Sequence, residues 1–68
     1  MAVYLEAEGQ RWYVEASRDE AATLVRETLE RRQTAVFRLD DVHHNGGQLF
    51  LSGRSLGVVV VGEEDALE

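Results

Sequence analysis

The stretch that most restricts the fold is residues 2–16, AVYLEAEGQRWYVEA, in which apolar and polar side chains alternate on both sides of Glu8-Gly9. A two-residue loop at Glu8-Gly9 gives a hairpin in which both faces are chemically matched. The cross-strand pairs of this register are Ala7–Gln10, Glu6–Arg11, Leu5–Trp12, Tyr4–Tyr13 and Val3–Val14. We therefore expect an N-terminal β-hairpin with an ion pair between Glu6 and Arg11 on the polar face.

A helix is predicted directly after this hairpin. Ser17 is a suitable N-cap, and Glu20 three residues later completes a capping box. The helix should run from about Arg18 to Arg32, with the basic end of SRDEAATLVRETLERR at the negative end of the helix dipole. Its apolar stripe at helical spacing consists of Ala21, Leu24, Val25, Thr28 and Leu29.

Three further strands are predicted in TAVFRLD, QLFLS and GVVVVG, and the last is apolar on both faces, as in an interior strand. The order ββαβββ indicates an α+β fold with a single helix packed on one face of a mostly antiparallel five-stranded sheet. The covered face should hold Val3, Leu5, Trp12, Val14, Phe37, Leu39, Leu49 and Leu51. We expect one small domain over residues 1–66, and we interpret Leu67-Glu68 as a possible cloning scar.

The segment DDVHHNGG, residues 40–47, combines two aspartates and two histidines, all of them potential metal ligands. Asn45-Gly46 favours a hairpin turn. The faces of the flanking strands favour a loop of three residues, 44–46, which would pair Leu39 with Leu51, or a five-residue variant. Adjacent side chains on an extended chain point to opposite faces, so the four groups would not converge on an ion. The segment is therefore predicted to be a turn without a bound metal, and no cofactor is expected.

Composition excludes several classes of function. There is no cysteine, so neither disulfides nor thiolate metal sites can form, and none of the three serines lies in a known nucleophile motif. The net charge of −6 disfavours binding to phosphate backbones. No apolar run approaches the roughly 20 residues of a membrane span, and the N-terminus lacks the pattern of a signal peptide. We expect a cytoplasmic protein that is not an enzyme.

The helix can cover only one side of the predicted sheet, which leaves an unusually apolar second face. The residues expected on this helix-free face are Tyr4, Tyr13, Val36, Arg38 and Phe50. The leading interpretation is a protein-interaction module that forms a homodimer through this face, or that binds another protein there. The alternative is a small ligand or a single-stranded nucleic acid bound on Tyr4, Tyr13 and Phe50, although nucleic acid is disfavoured by the charge.

The segments DEAATLV, FRLDD and LGVVVV, taken in this order, resemble a class of small uncharacterised actinobacterial proteins of similar length. That resemblance implies a short hairpin, one helix, a polar turn region and a terminal valine-rich strand. It implies no activity and no site residues.

Overall fold

The computed structural model describes residues 2–54 and 57–64 of the chain. Leu67-Glu68, interpreted above as a possible cloning scar, lie outside the described residues. The elements in chain order are β1 (Ala2–Ala7), β2 (Gln10–Val14), α1 (Arg18–Arg31), β3 (Thr34–Arg38), α2 (Asp41–His44), β4 (Gln48–Ser52) and β5 (Val60–Glu64). The predicted α+β class and the ββαβββ order of the main elements are confirmed. The short helix α2 was not predicted.

The β1–β2 hairpin has the predicted register, with Val3 opposite Val14 and Leu5 opposite Trp12. Glu8 and Gly9 have φ of 53° and 78°, so both turn residues are left-handed. Positive φ at both positions gives a tight turn whose twist matches that of the strands. The local pattern was therefore sufficient to predict this hairpin.

The helix α1 begins with the predicted capping box. The Ser17 side chain accepts from the backbone N–H of Glu20, and the Glu20 carboxylate accepts from the N–H of Ser17, both at 3.1 Å. The helix ends at Arg31, and Arg32 takes a left-handed conformation with φ of 55°. The residues of the predicted apolar stripe are buried or packed on the core, with the exception of Leu24, which is 38% exposed.

The five strands do not form the single sheet that was predicted. They form a three-stranded sheet of order β2-β1-β5 and a two-stranded sheet of β3 and β4, all antiparallel. In the part of the chain that the structure describes, one bridge, between Val14 and Leu39, joins the two sheets. The chain leaves β2 after Val14 and enters α1 after Ser17, so β2 is too short to continue alongside β3.

Two predictions about individual strands were also wrong. The valine-rich strand is an edge strand, because β5 pairs only with β1 among the described residues. In the β3–β4 hairpin, Leu51 pairs with Ala35 and not with Leu39, since α2 lengthens the connection between the strands. This register differs from the predicted one by an even number of residues, so the core-facing sides of both strands are as expected.

The core lies between α1 and the faces of both sheets. It consists of Val3, Leu5, Val14, Ala21, Val25, Ala35, Phe37 and Leu51, with Leu29, Leu39, Leu49, Val59 and Val61 packed around it. Trp12, predicted on the covered face, is only partly buried. Leu5 is the only large side chain of the described residues that is less than 2% exposed. Within the same residues, no helix has both the length and the apolar character needed to cross a bilayer.

Candidate partner-binding surface

Two of the predicted site residues, Tyr4 and Tyr13, belong to a polar network on the face of the three-stranded sheet opposite the core. The Arg11 guanidinium carbon lies 3.9 Å from the centre of the Tyr4 ring. Arg11 also forms ion pairs of 2.9 Å with Glu6 and with Glu64. The Tyr13 hydroxyl donates to the same Glu64 carboxylate at 3.2 Å. The predicted Glu6–Arg11 ion pair is thus confirmed, and Glu64 of β5 joins it.

Gly62 allows the Tyr4 ring to lie across β5. The two residues are opposite each other in the β1–β5 ladder. A Cβ added at Gly62 would lie 2.5 Å from the ring carbon that carries the Tyr4 hydroxyl. The sequence identified Gly62 only as the end of a valine run, because its role depends on the distant β1 strand.

The DDVHHNGG segment forms the one-turn helix α2. Asp40 is its N-cap, and one carboxylate oxygen accepts from the His43 N–H while the other lies 2.8 Å from Nδ1 of the same residue. Asn45 ends the turn with φ of 58°. The aspartate N-cap before DVHH was a signal that could have predicted this turn. The three-residue hairpin loop predicted here was therefore wrong.

Both histidines of α2 pack on Tyr13. The His43 ring stacks on the Tyr13 ring with centroids 3.8 Å apart and an interplanar angle of 11°. The backbone N–H of Tyr13 donates to Nε2 of His44 at 2.8 Å, so this ring nitrogen is the acceptor. The α2 segment therefore closes part of the free edge of β2. Within residues 2–54 and 57–64, no three metal-ligating side chains are grouped.

The carboxyl of Asp40 has a lowered pKa. Burial is the largest single influence and acts to raise the pKa, but the hydrogen bonds from the His43 backbone and imidazole, together with the electrostatic influence of His43 and His44, outweigh burial. Both bonds favour the ionised carboxylate. Asp40 is thus held in the form that caps α2.

The other predicted site residues, Val36, Arg38 and Phe50, lie on the two-stranded sheet. Val36 and Phe50 are directly opposite each other and are 47% and 65% exposed. Arg38 is two residues further along β3, and its Nε lies 3.8 Å from the Glu15 carboxylate. The structure therefore brings the predicted residues together as two groups, Tyr4 with Tyr13 and Val36 with Phe50. Only the second group presents a largely apolar surface.

A search against protein-family models, curated proteins and solved structures gives no match to this chain.

Proposed function

We propose that this chain is a small protein-interaction module that acts as a homodimer through the helix-free face around Val36 and Phe50. The observation that carries the proposal is the exposure of this facing pair, at 47% and 65%. Directly opposite side chains are in close contact across a non-hydrogen-bonded position, so the two residues form one apolar patch. A two-fold axis through such a patch would bring it against its own copy.

The small core gives a physical reason for association. A chain of this length buries only about 60% of the surface that its unfolded form exposes. Large apolar side chains that remain exposed include Val36, Val42, Phe50, Val58 and Val60. Covering part of this surface with a second copy would add apolar burial that the monomer lacks.

A non-enzymatic function is supported by how the reactive groups are used. The Ser17 hydroxyl caps α1, and the Asp40 carboxylate caps α2. The imidazoles of His43 and His44 pack against Tyr13. These groups have structural partners, and we infer no catalytic residues, no metal and no cofactor. We place the protein in the cytoplasm of a bacterium with a GC-rich genome. The sequence supports this placement in one respect, because it contains arginine but no lysine.

The alternative, a small ligand or single-stranded nucleic acid stacked on Tyr4, Tyr13 and Phe50, has less support. Arg11 already lies over the Tyr4 ring, and His43 over the Tyr13 ring. A base could stack on either tyrosine ring only after Arg11 or His43 had moved away from it. A gel shift with single-stranded RNA at low salt tests this alternative, and retardation there would favour it over the homodimer.

The homodimer is tested by light scattering on the wild type and on two matched variants. Phe50→Asp places a charge in the proposed interface, whereas Val42→Asp places the same charge on α2, where Val42 is 87% exposed. We expect a wild-type mass of twice 7.6 kDa, retained in Val42→Asp and halved in Phe50→Asp. A monomeric wild type, or a dimeric Phe50→Asp, would show that this face is not the interface.

A further inference from the structure

The strand β3 has an open edge on the side away from β4. Two hydrogen bonds just beyond the ends of β3 show which of its residues bond to β4: the N–H of Leu39 donates to the Gly47 carbonyl, and the N–H of Gly53 donates to the Gln33 carbonyl. Both Gln33 and Leu39 are odd-numbered, so the odd-numbered residues of β3 are the ones whose backbone groups bond to β4. The alternating geometry of antiparallel pairs then directs the N–H and C=O of Thr34 and Val36 to the other side. At the end of this side, the Arg38 carbonyl already accepts from the Glu15 N–H at 2.8 Å.

No hydrogen bond from the described residues reaches the outward backbone groups of Thr34 and Val36. The open edge is therefore a template for one more strand, placed in line with the end of β2. At about 3.4 Å per residue, the stretch from Thr34 to Phe37 accommodates about four residues of an extended chain.

A groove of about 630 Å³ runs between this edge and α1. Its apolar floor and walls include Ala16, Leu24, Val36 and Phe37. Leu24 is the helix residue that was predicted to be buried and is 38% exposed. Its position in the groove explains that exposure, because the side chain faces the space beside β3 and not the core.

The groove is strongly acidic. Among the described residues, four carboxylates line it, those of Glu15, Asp19, Glu20 and Glu27, against a single guanidinium, that of Arg38. That guanidinium is already close to Glu15. A second copy of this chain, with a net charge of −6, is a poor electrostatic match for such a groove.

We propose that the groove between β3 and α1 binds an extended segment of a partner protein in which apolar and basic residues alternate. The segment adds as a strand to β3, exchanging hydrogen bonds with the N–H and C=O of Val36. Its apolar side chains contact Leu24 and Val36, and its basic side chains meet the carboxylates of the groove. An edge strand flanked by a helix is a recurrent arrangement for peptide binding by strand addition. The site lies beside the proposed homodimer interface and shares only the Val36 side chain with it, and the strand addition does not depend on dimer formation.

The probe is an acetylated and amidated hexapeptide that alternates arginine and valine. Its binding to the ¹⁵N-labelled chain is followed by NMR titration and by amide hydrogen exchange. We expect new protection at the outward amides of Thr34 and Val36, and little change at Ala35 and Phe37, which are already bonded to β4. The same peptide with every backbone nitrogen methylated keeps its charge but has no backbone N–H to donate to β3, and it should not bind.

A matched pair of charge reversals tests the electrostatic part. Glu27 lines the groove, whereas Glu30 lies on the same helix outside it. In Glu27→Arg, the attraction between the groove carboxylate and the arginines of the peptide becomes a repulsion, and the affinity for the peptide should fall about tenfold. In Glu30→Arg the affinity should change by less than about twofold.

Three results would overturn the proposal. The first is equal binding of the methylated peptide, which would indicate a nonspecific polycation effect. The second is an equal loss of affinity in Glu27→Arg and Glu30→Arg. The third is peptide binding without new protection at the Thr34 and Val36 amides, which would show that the peptide does not add to the edge of β3. Protection at Val36 together with a selective loss in Glu27→Arg would support it, whatever the oligomeric state of Phe50→Asp.

Discussion

Gly53 occupies a position where the end of β4 passes very close to the end of α1. Its N–H donates to the Gln33 carbonyl at 2.8 Å. A Cβ at Gly53 would overlap the Thr28 carbonyl oxygen, and it would lie 2.9 Å from the Thr28 carbonyl carbon and 3.0 Å from the Gln33 oxygen. The Thr28 carbonyl also accepts the N–H groups of Arg32 and Gln33, which end the helix. The atoms that a Cβ at Gly53 would meet all belong to the backbone, and hydrogen bonds hold them in place.

Gly53→Ala should therefore be strongly destabilising although it adds one methyl group. Overpacking usually costs about 1–3 kcal/mol, and a backbone obstacle that cannot rotate away places this site at the upper end, about 3 kcal/mol. Total stabilities of about 0.05–0.15 kcal/mol per residue leave a chain of this size little reserve. The melting temperature should fall by about 12 °C or more.

The assay is urea unfolding followed by the fluorescence of Trp12, the single tryptophan of the chain. Gly57→Ala is the matched control, because a Cβ at Gly57 has no heavy atom within 4 Å. The control should change the free energy of unfolding by less than about 0.5 kcal/mol. If Gly53→Ala unfolds at the same urea concentration as the wild type, the close approach of β4 and α1 is not a feature of the folded protein.

Three further outcomes are expected. Ser17→Ala removes the capping box of α1 and should cost about 1 kcal/mol in urea unfolding; no measurable loss would contradict a structural role for the cap. Asp40→Asn tests the lowered pKa of the Asp40 carboxyl. A lowered native pKa stabilises the fold above the unfolded value of about 3.9, so the stability difference from wild type should be full near about pH 6 and shrink as the pH falls through the native pKa. A stability difference between wild type and Asp40→Asn that grows as the pH falls would show that the pKa of Asp40 is not lowered in the folded protein. Zinc or nickel should leave the melting temperature nearly unchanged, since His43 stacks on Tyr13 and His44 accepts its N–H; a rise of several degrees would indicate a metal site after all.

The candidate site was predictable only in part. Alternation along β1, β2 and β3 was enough to place Tyr4, Tyr13 and Val36 opposite the core-facing side chains. It could not indicate that Arg11 and His43 cover the tyrosine rings, because those contacts join separate elements. The open edge of β3 was also beyond the sequence, since it depends on how few residues of β2 lie beside β3.

The sequence by itself determined the structures whose partners are close along the chain. The β1–β2 register followed from one turn and matched pairs, and the start of α1 followed from Ser17 and Glu20 three residues apart. In both cases a short loop or a single helical turn leaves little choice of partner.

Only the tertiary structure decided the division into two sheets, the edge position of β5, and the packing of α2 on Tyr13. Each depends on residues far apart in sequence, such as Leu5 with Val61 and Tyr13 with His44. Local propensity does not distinguish among such distant pairings, because each is selected by the burial and hydrogen bonding that the whole chain achieves together.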